Sequence, residues 1–279
     1  MSLCQKGSWE LFRQSKHVGG RRNMEKIEKK KQSSTTVLQS EKLIVQFGGL
    51  KAINEFSFQL TDRELHFIIG PNGAGKTTFL DVLCGKTKPT SGNVLFKESL
   101  SLGKLYEYQI VRKGVGRKFQ APSIFPSLSV MSNLEIAMKQ QKGFWHILRA
   151  KLSEGDKEHI HEMLSLIGLK KESNRTAGTL AHGQKQWLEI AMVLMQDPEL
   201  VLLDEPIAGM TEEEEEKTGE LLRTIAKDRA VIVVEHDMDF VRKFADKVTV
   251  MHEGTWLCDG SMEEVQQNDR VLEVYLGRR

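Results

Sequence analysis

The residues that most plainly carry chemistry are Gly70, Pro71, Asn72, Gly73, Ala74, Gly75, Lys76, Thr77 and Thr78, which match the spacing G-x-x-x-x-G-K-[ST]. Glycines here let the backbone wrap closely enough for its N–H groups to face phosphate oxygens. A helix that follows adds roughly +0.5 of an elementary charge at its N-terminus. In such a cradle Lys76 reaches the β and γ phosphates of a nucleotide, and the Thr77 hydroxyl is a ligand for Mg²⁺. Further along, Leu200-Val201-Leu202-Leu203 runs into two acids, Asp204 and Glu205. Two acids ending an apolar run are, in isolation, most often a plain turn, so their meaning depends on what positions them.

The elements around the glycines suit the chemistry. Leu65 to Ile69 is a run apolar except for His66, of the kind buried on both faces of a sheet, and it leads directly into the loop, after which Lys76 to Cys84 reads as a helix. Further strands are predicted at Leu43 to Phe47, Phe56 to Leu60, Asn93 to Phe96, Gly116 to Phe119, Leu200 to Leu203, Ala230 to Val234 and Lys247 to Met251. Helices alternate with the later strands, which predicts an α/β layered fold with a largely parallel sheet. Between Val130 and Thr179 the texture is helical only, with Val130 to Gln140 and Asp156 to Ile167 as segments, and it reads as an inserted subdomain. The acidic run Glu212 to Glu216 reads as the solvated first turn of a helix.

Other motifs give the two acids their context. Leu180-Ala181-His182-Gly183-Gln184 resembles the L-S-G-G-Q signature of ABC ATPases, and Leu200 to Glu205 stands just downstream of it. The resemblance to the ABC family covers Leu43 to Leu276, with the motifs in the family's order. It implies a P-loop NTPase of the ABC type, with an N-terminal antiparallel β subdomain and a helical subdomain inserted at about residues 130–180. Asp204 and Glu205 then match the Walker B pair, Asp204 beside the metal and Glu205 polarising the attacking water. Gln120 matches the Q-loop glutamine, which in the family senses Mg²⁺ and water and couples to the membrane subunit. His236 matches the switch histidine at the γ phosphate, and Ala208-Gly209-Met210-Thr211 occupies the D-loop place. Phe47 resembles the aromatic residue that stacks on adenine, with an ordinary core Phe as the competing reading.

The same resemblance implies two ATPase subunits packed head to tail, each ATP held between one subunit's loop and the other's Ala181-His182-Gly183-Gln184. The signature departs from the common wording twice: Ala181 has no hydroxyl, and His182 stands for a glycine, which makes it a candidate replacement donor to phosphate. Implied partners are membrane permease subunits, a second ATPase subunit and, indirectly, a solute-binding protein, with no nucleic acid. Phe47-Gly48-Gly49-Leu50 and Gly114 to Gln120 resemble the branched-chain amino acid and amide uptake branch. Cys84 to Gly92, Leu180 to Trp187 and Pro206 to Thr211 resemble its urea-type members. A lipopolysaccharide-type exporter engine is the nearer rival. A soluble ABC ATPase acting on ribosomes or DNA is the more distant one.

Composition is consistent with this. Hydrophobic residues at 39% and charged residues at 28% describe a globular chain, and 279 residues suffice for a full core. Residues 1–38 hold nine Lys/Arg against three Asp/Glu, or +6, so with +2 overall the remainder carries −4. That predicts a basic, disordered extension over 1–38 before one ATPase domain at 39–279. No apolar run approaches the roughly 18 residues of a membrane span, and no signal segment opens the chain, so the expected location is peripheral, on the cytoplasmic face of the plasma membrane. Cys4, Cys84 and Cys258 share no metal-ligand or redox spacing and read as reduced thiols, Cys84 as a small buried hydrophobe.

Overall fold

In the computed structural model, the described residues are 35–118, 123–138 and 153–276, and Thr36–Arg279 forms one compact unit. The chain opens with two long strands, β1 (Thr36–Phe47) and β2 (Leu50–Thr61), followed by β3 (Leu65–Ile69). Helix α1 (Lys76–Leu83) leads to β4 (Ser91–Phe96), the short β5 (Leu100–Ser101), α2 (Glu107–Arg112) and β6 (Val115–Lys118). Two helices of the inserted region follow, α3 (Val130–Ala137) and α4 (Glu154–Leu166). Then come α5 (His182–Leu194), β7 (Leu200–Asp204), α6 (Glu212–Ala226), β8 (Ala230–Val234) and α7 (Met238–Phe244). The chain closes with β9 (Lys247–His252), β10 (Thr255–Gly260), α8 (Met262–Gln266) and α9 (Asp269–Leu276).

Two sheets result. The first is antiparallel in the order β2-β1-β4-β5, and the second runs β10-β9-β3-β8-β7-β6, parallel except for the β10 edge. Strands β3, β7 and β8 are buried at every position, as strands covered on both faces must be. The polar residues within them are partnered, His66 by Glu64 and Thr249 and Asp204 by Arg117. Alternation divides their side chains between two cores. Ile68, Leu202 and Ile232 face the first sheet, where α1 supplies Phe79, Leu80, Val82 and Leu83, while Phe67, Leu203 and Val233 face the helices. Phe79 meets Phe56 edge to face at 4.9 Å between ring centroids, which locks the helix carrying Lys76 against the first sheet.

Several expected boundaries shift. The first sheet begins at Thr36, before the predicted start of the domain, because Leu38 is fully buried between Leu60 and Phe96 on the neighbouring strands. Helix α3 ends at Ala137, and β6 runs Val115–Lys118. Sequence reading also passed over β5 and β10; β10 pairs with β9 alone and mixes Trp256 and Cys258 with Asp259, so it carries little periodic signal. Residues 1–34, which make up most of the expected extension, lie outside the described residues. The role of Leu38 is testable: Leu38→Ala is expected to lower stability by about 2–5 kcal/mol in urea unfolding, as for a core leucine. An unchanged midpoint would mean that the sheet starts later.

Candidate nucleotide site

Strand β3 ends at Gly70, and the chain turns at once into the loop. Gly70 (φ 153°), Gly73 (φ 81°) and Gly75 (φ 97°) all take positive φ. Two of them are also too crowded for a side chain: a Cβ at Gly70 would sit 2.1 Å from the Met251 carbonyl oxygen, and one at Gly75 would sit 2.5 Å from that of Ala52. The strand Lys247–His252 and the first sheet thus press on the loop from two sides. Lys76 Nζ donates to the carbonyls of Gly70 at 2.6 Å and Pro71 at 3.1 Å, so the loop curls around its own ammonium. Burial pushes the Lys76 pKa below its usual range, against the opposing pull of Glu205 and Asp204.

A cavity of about 690 Å³ opens above this loop. It is lined by Asn72, Gly73, Ala74, Gly75, Lys76, Thr77 and Thr78, together with Glu205, Phe47 and Leu50. Phe47 is 54% exposed, which removes the core reading of this residue. The glycine loop and an exposed aromatic ring therefore border one space of nucleotide size.

The acids come from the end of β7. Asp204 is buried; its Oδ2 accepts from Arg117 Nη2 at 3.3 Å, while Oδ1 has no hydrogen-bond partner among the described residues. Burial raises the Asp204 pKa; the Arg117 guanidinium opposes that shift, Glu205 adds to it, and the Thr77 hydroxyl favours the charged form. Glu205 adopts φ 48°, a left-handed conformation uncommon for a glutamate, and its N–H donates to the Val234 carbonyl at 2.9 Å. That sharp turn directs Glu205 to the cavity while Asp204 stays inside. His236 Nδ1 lies 3.7 Å from Glu205 Oε1 and 3.7 Å from Glu235 Oε2.

Glu235 is a residue that sequence reading missed. It is buried, with its Oε1 accepting from Ile207 N at 3.3 Å and its Oε2 from His236 N at 3.1 Å, so one carboxylate ties the turn after Glu205 to the histidine. Burial raises its pKa against the pull of these two amides. An acid placed directly after an apolar strand and beside His236 was the available signal. Arg117 was also passed over: its guanidinium bridges Asp204 and Asp81 of α1 and touches Cys84 Sγ at 3.2 Å.

Ala181, His182, Gly183 and Gln184 stand apart from this cavity, none of them lining it. They open α5, with Ala181 as N-cap and its N–H donating to Gln184 Oε1 at 3.1 Å. A Cβ at Gly183 would fall 2.4 Å from Glu214 Oε1, so that side chain would have to move to admit one. His182 Nε2 lies 3.0 Å from the Ala208 carbonyl oxygen. A carbonyl only accepts, so that nitrogen carries the proton and ties the helix tip to the turn at Ala208 and Gly209. One of the two ring nitrogens of His182, the candidate phosphate donor, is thus engaged within its own subunit. Gln120 lies outside the described residues.

This arrangement is that of an ABC cassette. Residues 53–208 match the ABC transporter family, and the chain belongs to it. It is similar to the high-affinity branched-chain amino acid transport ATP-binding protein LivG of Salmonella typhimurium, 36% identical over 244 residues covering 84% of this chain and 95% of that one. BraF of Pseudomonas aeruginosa, of the same description, is 35% identical over 256 residues, covering 88% of this chain and 99% of its own. Among solved structures, the ADP conformation of MJ1267, an ATP-binding cassette of an ABC transporter, superposes with a TM-score of 0.76 at 27% identity, over 87% of this chain and 99% of that one. The chain is therefore an ABC transporter ATPase subunit of the LivG-like branch, with the P-loop NTPase fold, antiparallel β subdomain and helical parts of such cassettes. Urea-type specificity finds no support among these relatives.

Proposed function

We propose that this chain powers the uptake of branched-chain amino acids, binding ATP in the cavity between Phe47 and Glu205 and hydrolysing it against a paired cassette. The observation that carries the reading is that one cavity joins the glycine loop, Lys76, Thr77 and Glu205 to an exposed aromatic ring. In this reading Phe47 stacks on adenine, the loop amides and Lys76 hold the phosphates, Glu205 orients the attacking water and His236 faces the γ phosphate. The Asp204 Oδ1 without a partner among the described residues and the Thr77 hydroxyl are hard oxygen donors suited to Mg²⁺, and Gln120 is assigned to the same ion. When bound, Mg²⁺ neutralises charge on the β and γ oxygens.

Because Ala181, His182, Gly183 and Gln184 do not line the cavity of their own subunit, they are assigned to the nucleotide of a second cassette, packed head to tail. The tether from His182 to Ala208 makes the helix tip and the D-loop one unit in that contact. No helix among the described residues is long and apolar enough to cross a membrane, so separate permease subunits would supply the pathway, with this chain peripheral on the cytoplasmic side and a solute-binding protein supplying cargo. The names of LivG and BraF favour branched-chain amino acids. The wording of Leu180 to Trp187 and Pro206 to Thr211 favours urea as the second reading.

The test is reconstitution with the permeases that co-purify with the chain. ATP turnover in proteoliposomes is expected to rise several-fold with leucine-loaded solute-binding protein and to stay basal with urea. Stimulation by urea alone would replace the first reading by the second, and ribosome association without permeases would overturn both.

A further inference from the structure

We infer that Glu189 is a positioning residue whose carboxylate fastens both ends of the stretch 119–122 to helix α5, the helix that carries the signature at its tip. The inference rests on the function proposed above for its catalytic consequence and on geometry alone for the fastening. Glu189 lies in the second turn of α5, and both it and Lys118 are almost wholly buried. Lys118, the last residue of β6, places Nζ 3.4 Å from Glu189 Oε2. Ser123, the first described residue after 119–122, donates its N–H to Glu189 Oε1 at 2.9 Å. One carboxylate therefore takes a partner from each side of the four residues that include Gln120.

Two further contacts extend the arrangement. Strand β6 runs hard against α5: a Cβ at Gly116 would approach Val193 Cγ1 to 2.7 Å, so the strand and helix cannot slide past each other freely. Beyond Ser123, the fully buried Asn133 of α3 holds Phe125 through both backbone groups, accepting from its N–H at 2.7 Å and donating to its carbonyl at 3.1 Å. Ser123 is thus fixed to α5 and Phe125 to α3. A displacement of the signature helix, as when a second cassette engages its tip, moves both anchors of the Gln120 stretch together. The reverse also holds, so a partner pulling on that stretch pulls on the signature helix.

A buried ion pair broken on one side leaves an uncompensated charge, whereas replacing both members by groups of similar size is tolerated. The test uses two double variants for this reason. Lys118→Met with Glu189→Leu removes the pair and the acceptor for Ser123; Lys118→Met with Glu189→Gln removes the charges but keeps that acceptor. The first is expected to lose kcat by roughly 10- to 100-fold while KM for ATP stays within about twofold, as misplacement of a group outside the binding contacts does. The second is expected to recover most of that loss. Amide exchange at Ser123 should be slow in the wild-type protein and in the Gln variant, and faster by about tenfold or more in the Leu variant.

Wild-type kcat in a folded Leu variant, or KM and kcat failing together in both variants, would overturn the inference. If the Leu variant does not fold, exchange in the wild-type protein decides: a Ser123 amide as unprotected as a surface loop overturns it. Should the wild-type protein show no ATP turnover, the proposed function fails, while exchange at Ser123 still tests the fastening.

Discussion

Glu205→Gln is expected to bind ATP with near wild-type affinity while turnover falls by roughly 10²- to 10⁴-fold, the contribution typical of a positioned general base. The reason is local. Glu205 lines the cavity, turned there by a left-handed backbone at φ 48° that the Val234 carbonyl holds in place. The amide keeps the size and shape of the side chain but cannot take a proton from water. Glycine loop, Lys76 and Phe47 remain, so nucleotide is still gripped. Without hydrolysis the γ phosphate is never released, and two cassettes joined through it should stay together. The measurement is phosphate release in parallel with light scattering under ATP: a stable dimer with negligible release is the expected result. Ordinary steady-state release would remove Glu205 from its assigned role.

Lys76→Ala is expected to fail one step earlier. Its ammonium is the cation that the loop encloses, held by the Gly70 and Pro71 carbonyls and facing the charges of Glu205 and Asp204. Alanine leaves the glycine geometry and the helix start intact but removes the positive charge where negative charge gathers. Loss of such a preorganised electrostatic group costs roughly 10²- to 10³-fold in turnover. Part of the loss should appear as weaker ATP binding, because ground-state phosphates carry charge as well. Titration with a fluorescent ATP analogue separates the two. Wild-type affinity together with wild-type turnover would contradict the placement of Lys76, and a dimer formed under ATP by this variant would contradict the proposed clamp. The pair of variants therefore differs in kind, Gln trapping the closed state and Ala preventing it.

Much of the fold was legible because its central strands advertise themselves. Leu200 to Leu203 and Ala230 to Val234 are uninterrupted apolar runs bounded by polar residues, Leu65 to Ile69 is apolar except for His66, and each is buried at every position. Edges were less legible. Strand β1 shifts register four times against β2, three of them between Ser40 and Gln46, so its apolar residues keep no steady alternation. The loop Gly70 to Thr78 was legible for another reason, that its function needs backbone amides and a fixed short spacing rather than contacts from elsewhere. Phe47 reads in the sequence as either a core residue or an adenine platform, and its exposure beside the cavity removes the core reading.

By itself, then, the sequence determined the phosphate loop, the acids at the end of β7, the order of motifs and with them the ABC class, since each depends on neighbours a few residues away. Tertiary structure decided which buried charges meet. Arg117 finds Asp204 across 87 positions, Ser123 finds Glu189 across 66, and Glu235 finds Ile207 across 28. It also decided that His182 turns to Ala208 in its own subunit, a pairing over 26 positions. Such pairs leave no periodic mark, because a charged side chain reads the same on a solvated face as in a core. Only the packing of strands and helices, by excluding water from around it, makes its partner obligatory.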